Sequence, residues 1–175
     1  VPHATVVVAV VLGLGDLVRR GGPSRRGLVD RLHSELDDLA KHHGLDRIKV
    51  VGDAYFASCG HDRPFIDHAP RVVAFATDAR DAVRAIGAEQ GAGLAIGAGV
   101  QTGPVTVGMT GGARLVYDVW GETVTSAHHL ARQAGPDVIL VAEPVTALLP
   151  DEVEITPVGD EGVWAVNDVT ESSRR

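Results

Sequence analysis

Residues Ala4 to Leu12 form a near-unbroken apolar, mostly β-branched run, which reads as a buried central strand. After the loop Gly21-Gly22-Pro23-Ser24, with Ser24 as N-cap, Leu28, Leu32, Leu36 and Leu39 recur at three- and four-residue spacing, and Gly44 stops the helix they predict. Ile48–Val51 and Ala54–Cys59 read as two strands joined by Gly52-Asp53, a tight hairpin turn with the Asp53 carboxylate at its tip. A second long helix is expected from about Pro64 to Gln90, with Ile66, Ala69, Val73, Ala76, Ala79, Val83 and Ile86 on one face.

Leu94–Thr102 and Val105–Thr110 read as another strand pair around Gly103-Pro104. Leu115–Trp120 reads as extended, Thr123–Gln133 as helix, Val138–Val141 as a short strand and Glu143–Leu149 as a short helix. Val153–Val158 and Gly162–Val166 close the pattern as a hairpin. The order β-α-β-β-α-β predicts an α+β fold with a ferredoxin-like core and extra C-terminal strands and helices. Residues 1–169 are expected to form one domain and 170–175 a disordered tail, with no internal repeat or low-complexity segment.

The 175-residue length fits one domain with a real core, and the longest apolar run, Ala4 to Leu14, is too short to span a bilayer. No signal peptide precedes it, and a start at Val1 reads as a piece of a longer protein. A formal charge of −7 and 4% aromatics argue against a nucleic-acid partner. The single cysteine, Cys59, rules out an intrachain disulfide and suggests a reducing, cytoplasmic setting. Of 16 basic residues only Lys41 and Lys49 are lysine, which draws attention to the lysine beside the predicted hairpin.

Three segments carry the candidate chemistry: Ile48-Lys49-Val50-Val51-Gly52-Asp53-Ala54-Tyr55, Gln101-Thr102-Gly103-Pro104-Val105, and Tyr117-Asp118-Val119-Trp120-Gly121-Glu122-Thr123-Val124. Together they resemble the catalytic domain of class III nucleotide cyclases, from roughly Thr5 to Leu149. That resemblance implies ring closure of a nucleoside triphosphate at a dimer interface, assisted by two divalent ions, Mg or Mn, between paired carboxylates. It implies that Lys49 and Asp118 read adenine, by donation to a ring nitrogen and acceptance from the exocyclic amine. It also implies that Asp53 is the second metal-binding aspartate. By the same analogy Arg114 faces the polyphosphate, although a surface arginine on a strand edge is an equal reading. Taken alone, Asp53 reads equally well as a turn residue and Lys49 as a solvated strand residue.

Three positions depart from the family pattern. Val10 stands where the first metal-binding aspartate is expected, and valine offers no oxygen to a hard cation. Asp16, six residues on, would need a rebuilt loop to replace it. In a helix that family members write as W-G-D-T-V-N-V-A-S-R, Thr125 replaces the asparagine and His129 the arginine. Histidine lacks the permanent charge and the fork of arginine, and losing such a group costs on the order of 10²–10³ in rate. The chain thus lacks one metal-binding group of one half of a composite site and two transition-state groups of the other.

Other motifs are weaker. The pairs His42-His43 and His128-His129 point apart on a helix, and Gly108-Met109-Thr110-Gly111-Gly112 has no Walker lysine. Cys59 reads as a small strand side chain, with His61 merely near in sequence. The expectation is a cyclase homology domain with lost or impaired turnover. It would bind ATP, pair with itself or another cyclase domain, and relay signals within a larger sensor, this segment touching no membrane. A slow adenylate cyclase and a scaffold that binds no nucleotide stand as alternatives.

Overall fold

The computed structural model describes residues 3–21, 26–159 and 162–167. Ser24 and the tail at 170–175 therefore lie outside the described residues. The elements are β1 (Ala4–Leu12), α1 (Leu14–Gly21), α2 (Arg26–His43), β2 (Asp46–Val51), β3 (Ala54–Cys59), α3 (His68–Glu89) and β4 (Ala95–Gly103). There follow β5 (Thr106–Thr110), β6 (Val116–Trp120), α4 (Glu122–Gln133), β7 (Ile139–Ala142), α5 (Glu143–Thr146), β8 (Ile155–Pro157) and β9 (Val163–Val166).

Seven strands form one sheet in the order β2-β3-β1-β4-β7-β9-β8, with β1 antiparallel to both β3 and β4. Its first four strands and the helices between them make the expected ferredoxin-like unit. Alternation along β1 explains the layering. Val7, Ala9 and Val11 point into a core closed by α2 and α3, whereas Val6, Val8 and Val10 point toward α4 and β6. A strand buried on both faces has no room for an unpaired polar group.

Four expectations need correction. The predicted pair Leu94–Thr102 with Val105–Thr110 does not form: β4 stays in the main sheet, while β5 pairs with β6 as a separate two-stranded arm. Pro104 separates the two and cannot donate a ladder hydrogen bond. The second helix begins at His68 rather than near Pro64, so Ile66 is fully exposed and Phe65 packs on the core instead. The residues after Leu12 form α1, seated by Leu14 and Leu17 alone among charged neighbours, too few apolar positions to show a period. Helix α5 ends at Thr146, short of Leu149.

Two packing devices hold the elements that carry the candidate chemistry. The buried Tyr55 on β3 donates its hydroxyl to Asp37 Oδ1 at 2.7 Å, and Asp37 Oδ2 accepts from Arg47 Nη1 at 3.0 Å, tying α2 to the β2–β3 hairpin. Burial, then the neighbouring carboxylate, pushes the Tyr55 hydroxyl well above the usual phenol range. On the opposite face, α4 sits directly on the backbone of β4 at Gly99. A Cβ there would stand 2.2 Å from the Ala127 carbonyl and 2.4 Å from the Ala131 amide nitrogen. Gly99→Ala is accordingly expected to cost roughly 1–3 kcal/mol or more through overpacking, read as a lower urea midpoint at unchanged slope. A midpoint equal to the parent's would mean that α4 does not rest on β4 this closely.

Candidate functional site

The β2–β3 turn sets the site. Gly52 takes φ +60°, a left-handed conformation that favours glycine, and the two-residue turn fixes Val51 opposite Ala54, Val50 opposite Tyr55 and Lys49 opposite Phe56. Asp53 is exposed at the tip, and its side chain has no partner among the described residues. Its backbone carbonyl accepts from the Val11 amide at 2.9 Å, and Val10 pairs with Ala54, so position 10 adjoins the aspartate as expected. Val10 is 3% exposed and packs with Ile48, Ala54, Phe56, Val119 and Val124.

A Mg or Mn ion wants several oxygen ligands. Next to Asp53, position 10 supplies only apolar atoms. Asp16 lies on α1, exposed and held by Arg19, whose guanidinium keeps that carboxyl below the usual range. Among the described residues no three His, Cys, Asp or Glu side chains gather as a metal site. The residues present fit one weakly held ion at best, and not a pair gripped between two carboxylates.

The base-reading candidates do meet. Lys49 Nζ donates to Asp118 Oδ1 at 3.1 Å and lies 3.3 Å from Oδ2, joining β2 to β6 across 69 residues of sequence. The Val119 amide also donates to Asp118 Oδ1 at 2.8 Å, which fixes the carboxylate on its own strand. Both side chains stay partly exposed, at 35% and 23%, so the pair adds little to stability but stands accessible to a ligand. Beneath Lys49 lies Phe56, its ring centroid 5.5 Å from Nζ, and His128 meets the same ring edge-on at 5.2 Å. Sequence reading missed this column, although the hairpin register alone places Phe56 opposite Lys49.

Thr125 and His129 stand one turn apart on the exposed face of α4. Gly121, at φ +125°, starts this helix in a conformation that favours glycine. The Thr125 hydroxyl donates to the Gly121 carbonyl at 3.2 Å, a back-bond that occupies its proton. His129 Nε2 lies 3.0 Å from Gln133 Nε2, so the ring is engaged along its own helix. Arg114 is exposed in the β5–β6 turn, away from Lys49 in sequence and with no ion pair among the described residues. The arm around it exposes Met109, Leu115, Val116, Tyr117 and Trp120.

Of the other candidates, His43 binds Asp78 at 2.7 Å between α2 and α3 as a structural link. Cys59 is buried, its thiol directed at the Gly44 carbonyl at 3.5 Å, and burial pushes it up to about 11.

Residues 3–170 match the family model described as Adenylate and Guanylate cyclase catalytic domain. The chain is 33% identical over 151 residues to the adenylate cyclase of Mycobacterium tuberculosis, covering 86% of this chain and 34% of that protein. It thus spans about a third of the length of this curated relative. Among solved structures, the guanylate cyclase domain of RhGC from Catenaria anguillulae in complex with GTP superposes with TM-score 0.88 at 22% identity, covering 97% of this chain and 98% of that one. The adenylyl cyclase CyaB from P. aeruginosa gives TM-score 0.89 at 21% identity, with 97% and 96% covered, which shows a shared fold.

A thiol this deep is expected to stay unmodified by a disulfide reagent at mildly alkaline pH and to react fully once the chain is unfolded. Rapid labelling of the folded chain would contradict the described packing of Cys59.

Proposed function

Because the chain belongs to the adenylate and guanylate cyclase catalytic domain family, we propose that it is a nucleotide cyclase domain with severely reduced turnover, retained to bind ATP and relay a signal. The observation that carries this reading is Val10, buried against Ala54 beside the lone exposed Asp53. Any Mg or Mn ion would have Asp53 as its one side-chain ligand from the expected pair, which leaves it weakly held. Position 129 offers an imidazole already engaged by Gln133 where a fixed cation would face the reacting phosphate.

Adenine recognition is better supported. Lys49 and Asp118 stand side by side with complementary donor and acceptor, the pattern that an adenine edge presents in reverse. A base seated there would share both groups with the existing ion pair. The apolar side chains on the β5–β6 arm support pairing with a second copy or with another cyclase domain. In this reading the domain contributes binding and pairing within a cytoplasmic sensor. Among the described residues no helix is long and apolar enough to cross a membrane.

The second reading, a slow adenylate cyclase, is favoured by the assembled Lys49–Asp118 pair and by the free carboxylate of Asp53. Purified chain with ATP and Mn²⁺ is expected to form no cyclic AMP above background. Formation that disappears in Asp53→Asn would establish the slow enzyme instead. Thr125→Asn with His129→Arg, both at exposed positions, and the triple variant adding Val10→Asp are expected to raise turnover stepwise. The paired variant also keeps the test open if a carboxylate at position 10 unfolds the chain.

ATP is expected to raise the melting temperature, and Lys49→Ala to abolish that rise. Absence of any shift in the parent chain would leave only a scaffold that pairs without nucleotide.

A further inference from the structure

At the end of the sheet away from Asp53, His61 follows β3 with only 2% of its side chain exposed. Its Nδ1 lies 2.5 Å from the Oγ of fully buried Ser58, and its Nε2 lies 3.9 Å from Asp46 Oδ2 at the start of β2. The ring packs at 5.9 Å from that of Tyr117 on β6. His61 therefore touches both strands that carry the Lys49–Asp118 pair: Asp46 is three residues before Lys49, and Tyr117 adjoins Asp118. The order Ser58, His61, Asp46 imitates a nucleophile relay, but a hydroxyl with no exposure cannot attack a substrate.

The surroundings are rich in charge. A cavity of about 330 Å³ beside the ring is lined by His3, Asp62, Phe65 and His68, and an adjoining one of about 210 Å³ by Lys41, Asp46, Asp62 and Arg63. His68 Nδ1 is itself engaged by Thr5 Oγ1 at 2.6 Å. The charged groups acting on His61 are thus Asp46 from β2 and Asp62 from the β3–α3 loop, with Lys41 from the end of α2 and Arg63 lining the adjoining cavity. His68 from α3, His3 before β1 and Tyr117 from the arm complete the set.

We propose that His61 is a proton-sensitive joint between β2 and the β5–β6 arm, so that acidification shifts Tyr117 and, with it, the setting of Asp118 against Lys49. The neutral ring, with its proton on Nε2 toward Asp46, accepts the Ser58 hydroxyl at Nδ1. A second proton forces Nδ1 to donate instead, reversing that bond, and places a charge where little water reaches. The 3.9 Å gap to Asp46 is an ion-pair distance but too long for a hydrogen bond, so a charge-assisted bond forms only if β2 or the loop draws closer. Burial holds His61 below its ordinary value against the opposing pull of Asp46 and Asp62. The sign follows: a depressed folded value means stability present at neutral pH and lost as pH falls through that value. His68 is also depressed, by burial and then by His3, and adds to the same direction.

The link to nucleotide rests on the function proposed above, but the joint is testable without ligand. Histidine and amide NMR signals of the whole chain would be followed from neutral to mildly acidic pH. His61 is expected to titrate below the ordinary ~6.5, with the Tyr117 and Asp118 amides shifting at the same midpoint. His61→Gln should remove that shift, whereas His68→Asn should leave it. Tyr117→Leu should move the His61 midpoint up toward the ordinary value, which keeps the test open if His61→Gln fails to fold. Amides at 117 and 118 that stay fixed, or that titrate unchanged in His61→Gln, would overturn the proposal, as would a His61 midpoint indifferent to Tyr117→Leu.

Discussion

The double-sided burial of β1 is the constraint on which the rest depends. Hydrogen-bonded to β3 on one side and β4 on the other, with helices on one face and α4 with β6 on the other, the strand is almost wholly removed from water. A carboxylate at its far end would need a cation or a shifted ionisation to remain there. Valine at position 10 relieves that demand: the strand satisfies itself, and the domain does not need an ion to neutralise this position. Fold stability and ion binding are thereby separated at a single side chain.

Much of this arrangement was legible in the residues. β1 has the predicted limits because a β-branched run bounded by glycine leaves little ambiguity. The hairpin was equally clear, since Gly52-Asp53 sets a two-residue turn and hence the facing pairs on β2 and β3. The family pattern singles out both Lys49 and Asp118, and the two side chains lie 3.1 Å apart. Less accessible was the destination of β5. Strand partners are chosen by long-range packing, and a local pattern suited to a hairpin with β4 says nothing about β6. Helix α1 was hidden because two leucines suffice to seat a short helix. His61 was passed over for a related reason: its significance lies in Tyr117, more than fifty residues on in the chain.

The candidate site divides into a region with assembled polar groups and a region where they are missing or self-engaged. Lys49, Asp118 and the Val119 amide form a compact hydrogen-bonded unit. Around Val10, Thr125 and His129, by contrast, contacts are apolar or confined to the same helix. A net charge of −7 adds a general repulsion toward any polyphosphate. Binding without rapid chemistry is the combination proposed above for these parts.

The seating of α4 on Gly99 has a consequence for how such a domain changes over time. Its inward face is locked to a glycine backbone, while positions 125 and 129 look outward and bear none of that lock. Substitutions at those two sites therefore leave the contact between α4 and β4 untouched, so the outer face of the helix can change its chemistry while the architecture stays as it is.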